Sequence, residues 1–362
     1  MDDSFMMNFR PETNGAVTAG EALFAYLKRE IVSGNAKPGM ALPTIQKLAE
    51  KSGVTFRIAR GAIERLAREG YVRSCPRVGT VVLSRDAHVM RGKVLFALPD
   101  VDASSYHVTQ IADSLHREIG KAGYVFTTAV FSQNPRHDHS FIKCELDHAP
   151  DIVVSMYAKT HLRRYLAGKG IRCIYVYGEK PEENEGPWIR FSAEDAISVF
   201  VEHCVRKGVG KVVQVRFSGN ETPDAESALS AAGISCAWKT IPRWDVLGRY
   251  EGIERAAFET FLNMPQEKFP DVFLFWDDFV AQGALTAFMK RGVSIPRDIK
   301  IAVLSNRGRG PVYTEPLTRF ECDAAAAGEK IADFTLSMLA KGRVPTPPVI
   351  SPQYVFGSTF PY

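Results

Sequence analysis

Residues 37–82 read KPGMALPTIQKLAEKSGVTFRIARGAIERLAREGYVRSCPRVGTVV, and the order of helix starts, stops and apolar positions in them decides the fold of the N-terminal part of the chain. Leu42-Pro43-Thr44 ends an extended approach, and the Thr44 hydroxyl can cap a short helix running to about Lys51. Gly53 makes the turn. Thr55 caps a second helix in which Ile58, Ala62, Ile63 and Leu66 recur at helical spacing, which turns Arg57, Arg60 and Glu64 outward. Gly70 stops that helix, and Tyr71-Val72-Arg73 and Thr80-Val81-Val82 read as two short strands joined through Cys75-Pro76-Arg77-Val78-Gly79. The pattern predicts a winged helix-turn-helix whose second helix has one face left for a partner.

Between Thr18 and Gly92 there are 13 Lys and Arg against 6 Asp and Glu, an excess of seven positive charges, whereas the whole chain carries only +4. The positive charge therefore coincides with the motif, as expected where phosphates are neutralised and counterions released. These residues, with Lys37-Pro38-Gly39 before the helices and Glu69-Gly70 and Gly79-Thr80 after them, resemble the DNA-binding domain of the GntR family of bacterial transcription regulators over residues 20–83. The resemblance implies contacts to bases or phosphates from Thr44, Gln46, Thr55, Phe56, Arg57, Arg60, Arg77 and Gly79. Arg57 and Arg60 share one helical face, and either could present a bidentate fork to guanine in the major groove. Gln46 and Phe56 stand where the family usually has Arg, which implies an altered base preference. Arg77 takes a wing position that is often Gly.

A chain of 362 residues is long for one domain and suits a small one followed by a larger one. We expect a mobile tail over 1–17, the winged helix over 18–84, a linker over 85–92 and a second domain over 93–362. With 45% hydrophobic and 24% charged residues the composition is that of a globular protein, and no apolar run is long enough for a membrane span. Met1-Asp2-Asp3-Ser4 lacks the basic and apolar parts of a secretory signal, so a cytoplasmic location is expected. The six cysteines, Cys75, Cys144, Cys173, Cys204, Cys236 and Cys322, are scattered with no Cys-x-x-Cys pair, which argues for free thiols and against a zinc site. No cofactor is expected.

Beyond the linker, short apolar runs alternate with helical patterns. Val94–Leu98, Ile152–Ser155, Cys173–Val176, Val212–Val215, Val272–Phe275 and Ile301–Leu304 read as buried parallel strands. Ile111–Ala122, Ala193–Lys207, Tyr250–Leu262 and Phe279–Arg291 read as helices between them. The alternation predicts a doubly wound α/β architecture, with ligands outside the carboxyl ends of the strands. Leu98-Pro99-Asp100, Lys121-Ala122-Gly123-Tyr124, Asp277-Asp278 followed by Gly283-Ala284-Leu285, Ile295-Pro296-Arg297-Asp298, Pro316-Leu317-Thr318 and Phe356-Gly357-Ser358-Thr359 look like the effector domain of the lactose-repressor (LacI) family. That domain is two-lobed and similar to periplasmic binding proteins of type I. The whole chain thus resembles a GntR–LacI hybrid of the arabinose-repressor type, which implies a cytoplasmic homodimer that leaves operator DNA when a sugar or sugar derivative binds.

For the effector, the resemblance assigns a hydrogen-bonding role to Asp277, with Asp278 a candidate N-cap of the following helix. Tyr106 and Trp276 are candidates for stacking on a sugar face. Two departures stand out. Where relatives carry an Asp after the strand ending at Leu304, this chain has Ser305-Asn306, and 217–233 holds none of the arginine that clamps ligand in relatives. Arg216 or Arg190 is left as the substitute, with Ser305 in the missing carboxylate's place. A GntR-headed enzyme of the pyridoxal-phosphate aminotransferase type would need a larger catalytic domain, and 93–362 shows no nucleophile elbow or phosphate-cradling glycine loop. A constitutive DNA binder whose second domain only dimerises is the other alternative.

Overall fold

Capping residues set where the N-terminal helices begin. The computed structural model describes residues 18–75, 78–83, 91–100, 105–132, 140–218, 222–242, 249–340 and 345–362; the expected tail over 1–17, Arg77 and most of the expected linker lie outside them. Two compact units partition the chain, residues 1–95 with 117–127 and 145–151, and residues 96–116, 128–144 and 152–362.

In the first unit, α1 (Ala19–Val32) opens with a capping box in which Thr18 and Glu21 each satisfy the other's backbone amide. Thr44 caps α2 (Ile45–Ser52), its hydroxyl accepting from the Lys47 amide at 3.3 Å, and Gly53 ends it at φ 64°, a left-handed conformation that glycine adopts without a Cβ clash. Thr55 caps α3 (Phe56–Arg68) through the Ile58 amide. Ala59, Ala62, Ile63 and Leu66 of α3 pack with Leu23, Leu27 and Leu48 into one core. The strands β1 (Val72–Cys75) and β2 (Gly79–Val82) pair antiparallel, Val72 opposite Val82 and Cys75 opposite Gly79. Residues before α2 extend the wing, since the Leu42 amide donates to Thr80 O at 2.7 Å.

The remaining elements form two α/β layers. One sheet contains β3 (Lys93–Pro99), β4 (Val125–Phe131), β5 (Ile152–Met156), β6 (Cys173–Val176) and β7 (Trp188–Ile189) in the order β4-β3-β5-β6-β7. Interleaved with them are α4 (Tyr106–Lys121), α5 (Ser140–Asp147) and α6 (Thr160–Gly168). The other sheet contains β8 (Lys211–Phe217), β9 (Ser235–Ile241), β10 (Val272–Phe275), β11 (Lys300–Asn306), β12 (Thr318–Cys322) and β13 (Gln353–Val355), ordered β13-β12-β11-β10-β8-β9. Its helices are α7 (Glu194–Arg206), α8 (Glu226–Ala231), α9 (Arg249–Leu262) and α10 (Asp278–Lys290). In this second sheet only β13 runs antiparallel to its neighbour. A last helix, α11 (Ala324–Leu339), returns to the first layer: the Cβ position of Gly328 lies 2.6 Å from the Ser114 side chain and 2.9 Å from Ile111 O, on α4. The chain therefore passes between the layers before α7, before α11 and after α11, the connectivity of a two-lobed domain with a three-stranded hinge.

All six strands expected from apolar runs are present. Those the sequence pattern missed are β4, β7, β9, β12 and β13. Edge strand β9 is exposed or half-buried at every position but Ile241, and β7 has two residues, so neither gives a continuous apolar run. In the second lobe Phe261, Phe273, Phe275 and Phe288 form an aromatic core, Phe261 lying 5.3 Å from both Phe273 and Phe288. The tightest approach is at Gly283 of α10, whose absent Cβ would sit 2.2 Å from Glu254 O and 2.9 Å from the Ala257 side chain of α9. Gly283→Ala is expected to push α10 off α9 and destabilise the domain by about 1–3 kcal/mol, the usual cost of overpacking a filled core. Thermal or urea unfolding of the variant checks this, and an unchanged midpoint would show that the helices separate freely.

Candidate nucleic-acid interface and effector cleft

On the first unit, capping and amphipathic spacing leave the start of α3 exposed. Gln46, Thr55, Arg57 and Arg60 are exposed, and Phe56 stands 53% exposed at the first turn of α3. An aromatic so exposed at the head of a helix, beside two arginines, offers an apolar surface between two cations. Thr44 and Thr55 spend their hydroxyls on capping. Arg60 donates through Nε to Glu64 Oε1 at 2.8 Å, a surface i,i+4 pair worth only about 0.3–0.5 kcal/mol. Such a pair orients the guanidinium at little cost and yields readily to a better acceptor. Gly79 sits in the wing at φ 101°. The expected contact Arg77 lies outside the described residues.

In the second unit, the carboxyl ends of strands from both lobes border a cavity of about 520 Å³, a size that suits a small metabolite. Aromatic rings form much of its wall: Tyr157 after β5, Tyr177 after β6, Trp188 and Phe191 at β7, and Trp276 after β10. Tyr157 and Tyr177 adopt left-handed backbone, φ 52° and 58°, which costs a bulky residue on the order of 1–3 kcal/mol. The strain turns the chain sharply at adjacent strand ends. Their rings approach to 5.6 Å.

Polar groups converge on the same space. His107, near the start of α4, shares a 2.8 Å hydrogen bond through Nδ1 with Asn306 Oδ1 at the end of β11, and its ring stacks 5.8 Å from Tyr177. Because Asn306 Oδ1 can only accept, Nδ1 is the protonated nitrogen in that pairing. Burial holds the His107 imidazole below its ordinary pKa. The contact joins the first lobe to the second. Ser305, only 3% exposed, lines the cavity with its Oγ unpaired among the described residues. Asp277 is the N-cap of α10, its Oδ1 accepting from the Val280 amide at 2.9 Å. The cap expected as Asp278 is thus one residue earlier, and Asp278, the first helical residue, also faces the cavity. Burial and the Asp277 charge push the Asp278 carboxyl up to about 7.

Of the expected effector residues, Arg190, Trp276, Asp277 and Ser305 line the cavity together. Trp276 is more anchor than platform: it is 1% exposed, and its Nε1 donates to Gln214 Oε1 at 2.8 Å. Arg190 lies 3.7 Å from Glu194. Two expected residues fall outside the lining. Arg216 points along β8 onto the Trp238 ring of β9, 4.4 Å away, and Tyr106 lies against Arg309 at 5.6 Å. Both are held by cation–π contacts elsewhere. Sequence reasoning missed His107, Asn306, Tyr157, Tyr177 and Trp188. Asn306 was within reach as the neighbour of Ser305, whereas the tyrosines carry no signal beyond following a buried strand.

Comparison with known families gives two matches. Residues 19–82 match the model of bacterial regulatory proteins of the gntR family, and residues 164–360 match the periplasmic binding protein-like domain. A comparison with curated proteins finds no match. Among solved structures, a LacI-family regulator from Arthrobacter sp. FB24 in complex with lactose is similar at 17% identity and TM-score 0.58, covering 74% of this chain and 98% of that one. A LacI-family regulator from Silicibacter pomeroyi is similar at 18% identity and TM-score 0.55 over 73% and 98%. The lac repressor dimer bound to operator and the anti-inducer ONPF gives 17%, 0.57, 75% and 94%. At such identities the likeness establishes the fold. Among the described residues no helix is long and apolar enough to cross a membrane, and no cluster of His, Cys, Asp and Glu has metal-site geometry.

Ser305→Ala removes a buried hydroxyl that makes no hydrogen bond among the described residues. The variant is expected to melt no lower than the parent, and to gain up to about 1 kcal/mol, since an unsatisfied buried polar group is a cost. A clear loss of stability in a thermal melt would mean that the hydroxyl has a partner in solution.

Proposed function

Since the chain belongs to the periplasmic binding protein-like family and carries a gntR-family DNA-binding domain, it is a ligand-controlled transcription regulator, and we propose that it acts as a homodimeric cytoplasmic repressor released from its operator by a sugar or sugar derivative. The observation that carries the effector reading is the cavity at the strand ends, where aromatic faces alternate with Ser305, Asn306 and carboxylates. Aromatic faces suit the C–H surface of a pyranose, and polar groups at the rim suit its hydroxyls. The Arthrobacter regulator was solved with lactose and the lac repressor with operator, which supports the same assignment here. We take residues 18–84 as the DNA-binding domain, 85–92 as connector and 93–362 as the effector domain.

DNA contacts are assigned to Gln46, Phe56, Arg57, Arg60 and the wing, with the hydroxyls of Thr44 and Thr55 fixing the helix ends that present them. Ligand control follows from differential affinity: an effector that hydrogen-bonds both lobes favours the closed arrangement over the open one by the free energy of those extra contacts. His107 and Asn306 already bridge the lobes, so the ligand has a preformed wall to complete.

Arg60→Ala is expected to weaken operator binding by about 1–3 kcal/mol, the value of a good bidentate base contact, with a normal melting temperature because the side chain is exposed. Unchanged affinity in a fluorescence-anisotropy titration removes Arg60 from the interface. A two-fold dimer further requires a palindromic or near-palindromic site and steep loss of affinity with added salt. A footprint over a single half-site with a shallow salt slope would falsify the dimeric reading.

A further inference from the structure

We propose that Phe56 reads the 5-methyl group of a thymine in the major groove, so that the DNA sequence this chain selects carries a thymine where the phenyl ring meets the base edges. The inference rests on the assignment of α3 to operator DNA above and adds what its first residue recognises.

Among the described residues Phe56 has no packing role. It is 53% exposed, stands outside the core that α1, α2 and α3 share, and makes no contact there with another ring or with a cation. Its backbone is fixed nonetheless. The preceding residue Thr55 caps α3, its hydroxyl accepting from the Ile58 amide at 3.4 Å, and Ala59 and Ala62 hold the next turn in the core. A large apolar ring held in place with nothing of its own to pack on is a surface for a partner.

That partner is duplex DNA. An excess of seven positive charges over residues 18–92 draws a polyanion, Gln46, Arg57 and Arg60 are exposed beside the ring, and residues 19–82 match the gntR-family model. Residues at the start of a recognition helix are those that reach base edges. The chemistry of the groove then leaves one choice. Guanine, cytosine and adenine present donors and acceptors there, which a phenyl ring would strip of water without returning a hydrogen bond, whereas thymine presents a methyl group.

Two features of α3 bring the ring within reach. Arg60 follows Phe56 by four residues, so the two side chains share a helical face with Cβ atoms about 5–6 Å apart. At a rise of about 3.4 Å per base pair, the methyl group lies within about two base pairs of the edge that Arg60 engages. The other feature is Gly61, exposed one turn beyond Arg57, where an added Cβ would meet nothing within 4 Å among the described residues. Packing there does not call for a glycine, which weakens a helix interior. Its effect is to bare the backbone and let α3 approach the groove closely, as a ring shorter than an arginine requires.

The test uses the full-length protein and the duplex motif that it enriches from a randomised pool. Each thymine of that motif is replaced in turn by deoxyuridine, which lacks only the methyl group, and binding is followed by fluorescence anisotropy. At one thymine position the loss is expected to be about threefold to fivefold, the value of one buried methyl group. Phe56→Ala is expected to bind the motif more weakly and to bind the thymine and deoxyuridine duplexes at that position alike. The variant should melt with the parent, because the ring it removes is exposed. A motif with no methyl-sensitive thymine, or a penalty of the same size in Phe56→Ala, overturns the inference and leaves the DNA-binding reading standing. Enrichment of no motif overturns both.

Discussion

The contact on which the second lobe depends is the meeting of α9 and α10 at Gly283, where the α10 backbone lies so close to Glu254 O that no side chain fits between them. That approach fixes the start of α10, and with it the position of Asp277 and Asp278 at the cavity wall. It also brings Glu254 near enough to oppose ionisation of Asp278. Core packing thereby sets site electrostatics. A lobe assembled with a looser α9–α10 pair would present the same residues with less of the Glu254 charge felt at Asp278.

Much of the architecture was legible because its carriers are strong local signals. Thr44, Gly53 and Thr55 fix helix ends by hydrogen bonding and backbone freedom, and each occupies its expected place in the structure. Central strands such as Val272–Phe275 are buried on both faces, so they read as uninterrupted apolar runs. What was not legible depends on neighbours remote in sequence. Whether Arg216 faces a ligand or an indole is decided by β9, and Trp238 there supplies a nearer partner. Tyr157 and Tyr177 become cavity walls because their strands end in left-handed turns, a conformation that nothing in a tyrosine's local propensity predicts. His107 was invisible for a similar reason: its partner Asn306 lies 199 residues away.

The cleft joins two kinds of restraint. Strained turns at Tyr157 and Tyr177 belong to the first lobe alone and hold the aromatic wall rigid, so little ordering entropy is lost when a ligand packs against it. The His107–Asn306 hydrogen bond spans the lobes and must persist, shift or break as the cleft changes its opening. With His107 kept neutral by burial, the contact is an ordinary hydrogen bond of about 1 kcal/mol rather than a charged latch. A ligand with several polar contacts to both lobes can therefore override it, which is what a reversible switch requires.

Charge is also divided along the sequence in a way that keeps the two binding functions apart. Residues 18–92 carry an excess of seven positive charges, while the whole chain carries +4, and among the described residues the charged groups lining the effector cavity are Arg190 and the carboxylates of Glu194, Asp224, Asp277 and Asp278. Phosphates are drawn to the first and repelled from the second, so the polyanionic operator does not compete for the effector site. Salt screens the two unequally. Exposed arginines on α3 feel the full ionic atmosphere, whereas a recessed carboxyl such as Asp278 is largely shielded from it. Raising the ionic strength consequently weakens DNA binding far more than effector binding, and the two affinities of this one chain can be varied separately without altering a residue.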